Sequence, residues 1–206
     1  MNVLVACEFS GIVREAFRRR GHDAWSCDLR NNEDESDFHI IGDALEITRH
    51  LPWDLMIAHP PCTYLSRAGA RWWRDPERQR KADEAELFVR GLWNAPISMI
   101  AIENPIGQLN RRWRYPDQII QPWEYGHKFS KATCLWLKNL PPLMPTHICL
   151  EYTPLLPSNV GRGRSVGQRW SAGSVRDPIA ASRTFAGIAD AMAEQWGGAG
   201  AERTAA

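Results

Sequence analysis

Cys62 is the residue through which this sequence could do covalent chemistry. It stands in "DLMIAHPPCTYLSRAG" (54–69), where an apolar run meets two prolines, then a thiol, with Ser66, Ala68 and Gly69 behind it. A cysteine just past a Pro-Pro turn is either a small core residue or a nucleophile presented at a strand end. About 40 residues later a second apolar run, "ISMIAIENP" (97–105), ends in Glu103-Asn104-Pro105. A buried cysteine or a capping glutamate explains either one alone. Together, at the ends of two strands that could lie side by side, they suit nucleophile-plus-acid chemistry.

Two such groups meet only if their strands share a sheet edge, and the rest of the chain reads that way. "NVLVACEF" (2–9), "HDAWSCDL" (22–29), the start of "HIIGDALEI" (39–47), "WDLMIAHPP" (53–61), "ISMIAIENP" (97–105) and "KATCLWLKNL" (131–140) are short apolar runs closed by turn residues. Between them, "GIVREAFRRRG" (11–21) and "PERQRKADEAELFVRGLWNA" (76–95) have helical spacing, the latter with Leu87, Phe88, Leu92 and Trp93 on one side; "TFAGIADAMAEQW" (184–196) closes as an amphipathic helix. Alternating elements with strands apolar throughout predict an α/β fold, a mostly parallel sheet with helices on both faces. We expect one domain over 1–196, with an irregular Pro-, Gly- and Arg-rich stretch at 141–182 and a flexible tail at 197–206.

Ligands of open parallel sheets sit at the carboxyl ends of the strands, so the residues standing there form a functional census. Gly11 follows the first strand and opens a helix, where a backbone without Cβ admits a ligand and the helix N-terminus favours an anion. An ordinary strand-to-helix turn has the same glycine, and the full GxGxxG fingerprint is absent. Asp28, at the end of the second strand, could accept from both hydroxyls of a ribose, and Asp43 from an adenine amino group; either could equally cap a turn or helix. His59, Arg67 and Arg71 are the cations nearest in sequence that could raise the thiolate content of Cys62, although His59 before Pro-Pro also suits a plain turn.

The chain has 206 residues, 44% hydrophobic, with 25 basic against 24 acidic side chains, so its net charge does not announce a nucleic-acid partner. Its distribution says more: Arg and Lys gather in "RWWRDPERQRK" (71–81), "RRWR" (111–114) and "GRGRSVGQRW" (161–170), with several of the ten tryptophans among them. Such runs are either solvated loops with Trp stems on the core or a surface for phosphates and bases. Five scattered cysteines without a CxxC pair argue against a disulfide framework or a zinc site and suit a reducing cytoplasm. No apolar run is long enough for a membrane span, and the N-terminus lacks the basic region of a secretion signal.

The order of these motifs resembles the S-adenosylmethionine-dependent DNA cytosine-C5 methyltransferases. Phe9-Ser10-Gly11 matches their cofactor turn, "PCTYLSRAG" their Pro-Cys-Gln-x-x-Ser-x-Ala-Gly nucleophile loop, and Glu103-Asn104-Pro105 their Glu-Asn-Val. The matching motifs run from residue 2 to about 110, and more loosely through 137 and 183–196. The resemblance implies a Rossmann-like methyltransferase fold and S-adenosylmethionine held by Phe9, Ser10, Gly11, Asp28, Asp43 and Pro60. It implies Cys62 and Glu103 as catalytic groups, a cytosine in DNA contacted by Ser66, Asn104, Lys131 and Thr133, and neither metal nor membrane.

The chemistry follows from the electronics of the ring. Carbon 5 of cytosine becomes nucleophilic once a Cys62 thiolate adds to carbon 6, and a protonated Glu103 would stabilise the charge arriving at ring nitrogen 3. The chain also departs from the family. Thr63 replaces its Gln, Pro105 its Val, and "GHKFSKATCLWL" only echoes its Gln-x-Arg-x-Arg, with Lys131 and Thr133 where the arginines would stand. There is no room for a large target-recognition region, as in a short phage- or prophage-type relative. Three alternatives stay open: a non-catalytic nucleic-acid or partner-binding protein on this fold, an amino-methyltransferase using "HPPC" in the manner of [DNS]-P-P-[YFW], and the same chemistry on RNA or a free nucleotide.

Overall fold

The computed structural model describes residues 1–154 and 183–198. Seven strands form one sheet: β1 (Asn2–Ala6), β2 (Asp23–Asp28), β3 (His39–Ile41), β4 (Leu55–Ala58), β5 (Met99–Pro105), β6 (Gln118–Ile120) and β8 (Thr133–Lys138). Their order is β3-β2-β1-β4-β5-β8-β6. All neighbours from β3 to β5 pair in parallel, and β8 runs antiparallel to both β5 and β6. Two further short strands, β7 (Phe129–Ser130) and β9 (Thr153–Pro154), pair on their own. The predicted Rossmann-like α/β fold is therefore what the chain adopts: an open, mostly parallel sheet whose order reverses between β1 and β4.

Both faces of the sheet are covered. Val3, Val5, Leu55, Ile57 and Leu135 face helices α1 (Ile12–Arg18) and α5 (Ala186–Gly197), which contribute Phe17, Met192 and Trp196. Leu4, Met56, Ala58, Ile100 and Trp136 face α2 (Ala44–His50) and α3 (Pro76–Trp93), which contribute Ile47, Val89 and Leu92. Period-two alternation thus assigns each strand residue to a face. Leu87 departs from the sequence expectation for α3: it is 67% exposed, while Ala82, Val89 and Leu92 make the buried stripe.

The helix starts are set by local chemistry. Asp75 accepts from the Arg78 amide at 2.8 Å, and Pro76 occupies the first turn of α3. Asp43 accepts from the Leu45 amide at 2.8 Å and caps α2. At α5 the imidazole Nε2 of His127 accepts from the Gly187 amide at 2.9 Å. A short helix α4 (Leu109–Arg112) and a 3-10 turn (Arg67–Trp72) complete the described elements that border the site.

Three points separate the structure from the sequence reading. The edge strand β6 is only three residues between prolines, with Ile119 exposed, so it lacked any apolar period. Gly197, expected in a tail, is the last residue of α5 and lies against His22, where a Cβ would meet Nε2 at 2.5 Å. The stretch 141–182 is described only to Thr153–Pro154, so most of it, including "GRGRSVGQRW", lies outside the described residues.

Candidate active site

The reversal of strand order between β1 and β4 leaves a crevice bordered by the loops that follow them. On the β1 side, Cys7 takes a positive φ of 59°, a conformation uncommon outside glycine, and turns the chain into "EFSG". Glu8, 4% exposed, folds back so that its carboxylate accepts from the amides of Val13 at 2.7 Å and Arg14 at 3.2 Å. It therefore fills the N-terminus of α1 with a negative charge from the protein itself. Burial pushes its pKa up, opposed by the charge of His59 and these two amides.

Gly11 has φ 71°, and a Cβ there would meet Arg14 Nη2 at 2.4 Å. The buried Arg14 guanidinium lies directly behind the turn. It donates to Ser26 Oγ at 2.9 Å and pairs with Asp34, while Ser26 bonds His39 Nδ1 at 2.8 Å. His39 Nε2 in turn bonds the Arg30 carbonyl at 2.9 Å. Phe9 carries the Arg30 guanidinium over its ring, 5.3 Å from the centroid, and Ser10 Oγ lies 3.4 Å from Glu8.

Asp28 accepts from the Arg30 amide at 3.0 Å, and Asp43 is the cap of α2. Both are nevertheless close to the end of β1. Burial drives the Cys7 thiol well above its usual pKa, and the charges of Cys27, Asp28 and Asp43 add to that push. The edge around β1 thus gathers Glu8, Asp28 and Asp43, and the α1 amides that a phosphate would need are already taken by Glu8. Those residues fit a cofactor with hydroxyls, an amino group and a positive centre, and they do not fit a dinucleotide pyrophosphate.

On the β4 side, the Cys62 loop is clamped to the loop after β5. Asn104 Nδ2 donates to the Pro60 carbonyl at 2.8 Å, Gln108 Nε2 to that of Tyr64 at 2.8 Å, and the Gln108 amide to that of Leu65 at 2.6 Å. Ser66 forms a β-bridge with Gly107, and the Leu65 and Ser66 amides bond the Cys62 carbonyl at 3.0 and 2.9 Å. A Cβ on Gly107 would stand 2.0 Å from the Leu65 oxygen, so the glycine lets the two loops touch. Ser66 and Asn104 serve here as braces of the Cys62 loop, and Pro60 gives its carbonyl to that brace.

Register then brings the chemistry together. Ala58 pairs with Ile102, so the next residues, His59 and Glu103, are lateral neighbours on one face, with Nδ1 3.2 Å from Oε2. Antiparallel β8 brings Thr133 opposite Pro105 and Lys131 just beyond. Burial works against the Glu103 carboxylate, but His59, Lys131 and the Thr133 hydroxyl together hold its pKa below the usual value. With these neighbours the ligand-free protein favours the Glu103 carboxylate over its acid.

Cys62 is half-buried; burial raises its thiol pKa, Glu103 adds to the rise and Lys131 opposes it. The cation that favours the thiolate is thus Lys131, 69 positions away, not Arg67 or Arg71. Arg67 is exposed, and Arg71 lies over the Trp72 ring. Trp72 is itself 52% exposed, so it is no core anchor. The "RRWR" run is a structural cluster: Arg112 pairs with Glu86 and Asp83, and Arg114 with Asp117 above Trp93.

Sequence reasoning missed Glu8 as a helix cap and underrated His59. The available signal for His59 was local: it directly follows the apolar run of β4, as Glu103 follows the apolar run Met99–Ile102. All five cysteines are free, no group of described His, Cys, Asp or Glu residues is arranged to hold a metal ion, and no described helix is long and apolar enough to cross a membrane.

No protein-family model matches the chain, and no curated protein matches it in sequence. Among solved structures it is similar to an E. coli protein described as a candidate DNA modification methyltransferase encoded within a prophage, at 16% identity and a TM-score of 0.49. The likeness covers 82% of this chain and 57% of that one, so this chain spans little more than half of that protein's length.

Proposed function

We propose that residues 1–196 form one catalytic domain that transfers a methyl group from S-adenosylmethionine to carbon 5 of cytosine in DNA. The observation that carries this reading is the convergence of Cys62, Glu103, Lys131 and Thr133 at one sheet edge, from three strands. Cysteine and glutamate so placed, with a cation beside both, suit addition to an electron-poor ring followed by proton management at its nitrogen.

Phe9, Ser10, Gly11, Asp28, Asp43 and Pro60 would hold the cofactor, which supplies an electrophilic methyl group when bound. The acidic edge around β1, with its phosphate site closed by Glu8, supports that choice over a nucleotide phosphate. Cys62, deprotonated, would add to carbon 6. Lys131 would favour the thiolate, and Glu103, once protonated, would hydrogen-bond ring nitrogen 3. Loss of the carbon-5 proton and elimination would then free the cysteine. The amino-methyltransferase alternative is weaker, because His59 stands where that loop wants an acid or amide and Cys62 where it wants an aromatic.

The test is nucleoside mass spectrometry of DNA from cells expressing the protein or its Cys62→Ser variant. The proposal expects 5-methylcytosine with the first and none with the second; undiminished 5-methylcytosine from the serine variant would sink the mechanism. Calorimetry with S-adenosylmethionine separates the non-catalytic reading, which requires no binding.

A further inference from the structure

Three histidines border this end of the sheet, and two are fixed by hydrogen bonds. His39 is held at both ring nitrogens, and His127 accepts from Gly187 through Nε2. His59 differs. Its side chain is 10% exposed, its Nδ1 bonds Glu103 Oε2 at 3.2 Å, and its Nε2 is buried without a protein partner among the described residues. One ring nitrogen is thus held by Glu103, while the other has no described hydrogen-bond partner.

The groups around it are accounted for. From β1 the ring feels Glu8, and the Ala6 carbonyl accepts the His59 amide at 2.9 Å. From β5 it meets Glu103, which is itself in the field of Lys131 and Thr133 on the β8 side. A histidine between two carboxylates is a place to store a proton.

Glu103 needs one. Ring nitrogen 3 of a neutral cytosine is an acceptor, so a carboxylate at that nitrogen repels it and only a carboxylic acid can serve it. We propose that His59 is the proton donor behind Glu103, a positioning residue whose Nδ1 proton passes to the carboxylate when a pyrimidine enters. This rests on the cytosine reading above.

The step balances. The Cys62 thiolate forms a bond to carbon 6, and the carbon 5–carbon 6 π pair moves between carbons 4 and 5. The carbon 4–nitrogen 3 π pair moves onto nitrogen 3, which takes the proton of Glu103. That proton is the one Glu103 received from imidazolium Nδ1, so Glu103 is left a carboxylate and His59 neutral with its proton on Nε2; elimination reverses the transfer. The same proton removes the Glu103 charge that opposes a thiolate at Cys62, so one transfer readies both catalytic groups.

Addition to carbon 6 also labilises the carbon-5 hydrogen, which gives a readout without cofactor: deuterium uptake at cytosine carbon 5 in random-sequence single-stranded and duplex oligonucleotides, followed by mass spectrometry from acid to alkaline pH. The full-length chain is expected to exchange with a bell-shaped profile, the alkaline limb being loss of the His59–Glu103 proton. His59→Gln keeps an N–H for Glu103 but has no proton to give. It should slow exchange by about 100-fold and lose that limb, and adding Glu103→Gln to it should slow exchange no further. A His59→Gln variant with the parental rate and limb overturns the proposal and leaves the cytosine reading standing. No exchange by the folded parent, or full exchange by Cys62→Ser, sinks the reading and the proposal with it. Nitrogen NMR of the His59 ring in the unaltered protein is a second check independent of the variant's folding: an alkaline limb that does not follow the ring's titration overturns the proposal.

Discussion

His59 and Glu103 are lateral neighbours across β4 and β5, Nδ1 to Oε2 at 3.2 Å, because the two strands run parallel in a register that pairs Ala58 with Ile102. A slip of one residue would turn Glu103 to the other face, among Ile100 and Ile102. The geometry of this pair is thus specified by the same apolar pattern that specifies the core.

That pair gives the fold a pH dependence of known sign. The folded-state pKa of Glu103 lies below the ordinary carboxylate value of 4.5, despite burial, because His59, Lys131 and Thr133 favour its charge. The unfolded chain then binds the proton more readily than the folded one, so this contribution is present above pH 4.5 and is lost as pH falls through the folded value. Urea unfolding should show a destabilised Glu103→Gln at neutral pH and a difference from the parent that shrinks below pH 4.5. A difference that grows in acid would reverse the assignment.

Glu8 should be a stability residue more than a catalytic one. Its carboxylate satisfies two amides at the start of a seven-residue helix whose N-cap residue, Gly11, has no side chain to do so. Glu8→Ala would leave those amides buried without partners and cost about 2 kcal/mol. Glu8→Gln, which keeps one acceptor, should cost less. Thermal melts of both variants check the order.

How much of this was legible in the sequence divides by range. The apolar runs predicted the sheet and its strand ends because burial on both faces leaves a period-free signal that needs no partner to read. Gly11 and Cys62 were visible because their turns are local. What stayed hidden is what long-range register makes: Lys131 acting on Cys62, Asn104 bracing Pro60, Arg112 tied to Glu86 across 26 residues. The charge state of Glu103 was not legible for the same reason, since His59, Lys131 and Thr133, which set it, come from elsewhere in the chain.

Gly107 tests whether the clamp on the nucleophile loop matters. With a Cβ the residue would stand 2.0 Å from the Leu65 carbonyl oxygen and 2.9 Å from its carbon, both backbone atoms that cannot rotate aside. Gly107→Ala must therefore part the Cys62 loop from the β5 loop, breaking the Gln108–Leu65 bond of 2.6 Å. We expect a folded protein, destabilised by about 1–3 kcal/mol, with product formation reduced at least ~100-fold by misplacement of the thiol. Activity equal to the parent at an unchanged melting temperature would show that the clamp is dispensable.

Asp28 and Asp43 have similar places but different local jobs. Asp43 caps α2, so Asp43→Ala should lower stability by about 1 kcal/mol whether or not a ligand is present. Asp28 holds one turn amide through one oxygen. If it also receives ribose hydroxyls, Asp28→Ala should weaken S-adenosylmethionine by roughly 10-fold or more, the loss of a hydrogen bond to a charged group. Calorimetric titration of the two variants decides which acid faces the cofactor, and parental affinity in both would remove this pair from the cofactor site.

His127 sets a second pH dependence, of opposite chemistry. Its Nε2 must be unprotonated to accept from the Gly187 amide, and burial lowers its pKa from 6.5. As pH falls through 6.5 the unfolded chain takes up a proton that the folded chain refuses, so stability drops until the folded-state value is reached. His22, also shifted down by burial, adds a slope of the same sign. His127→Gln retains an acceptor for the cap and does not titrate. Unfolding free energies measured from pH 7.5 to 5 should therefore decline less steeply in this variant than in the parent. Parallel curves would mean that the α5 cap does not depend on a neutral His127.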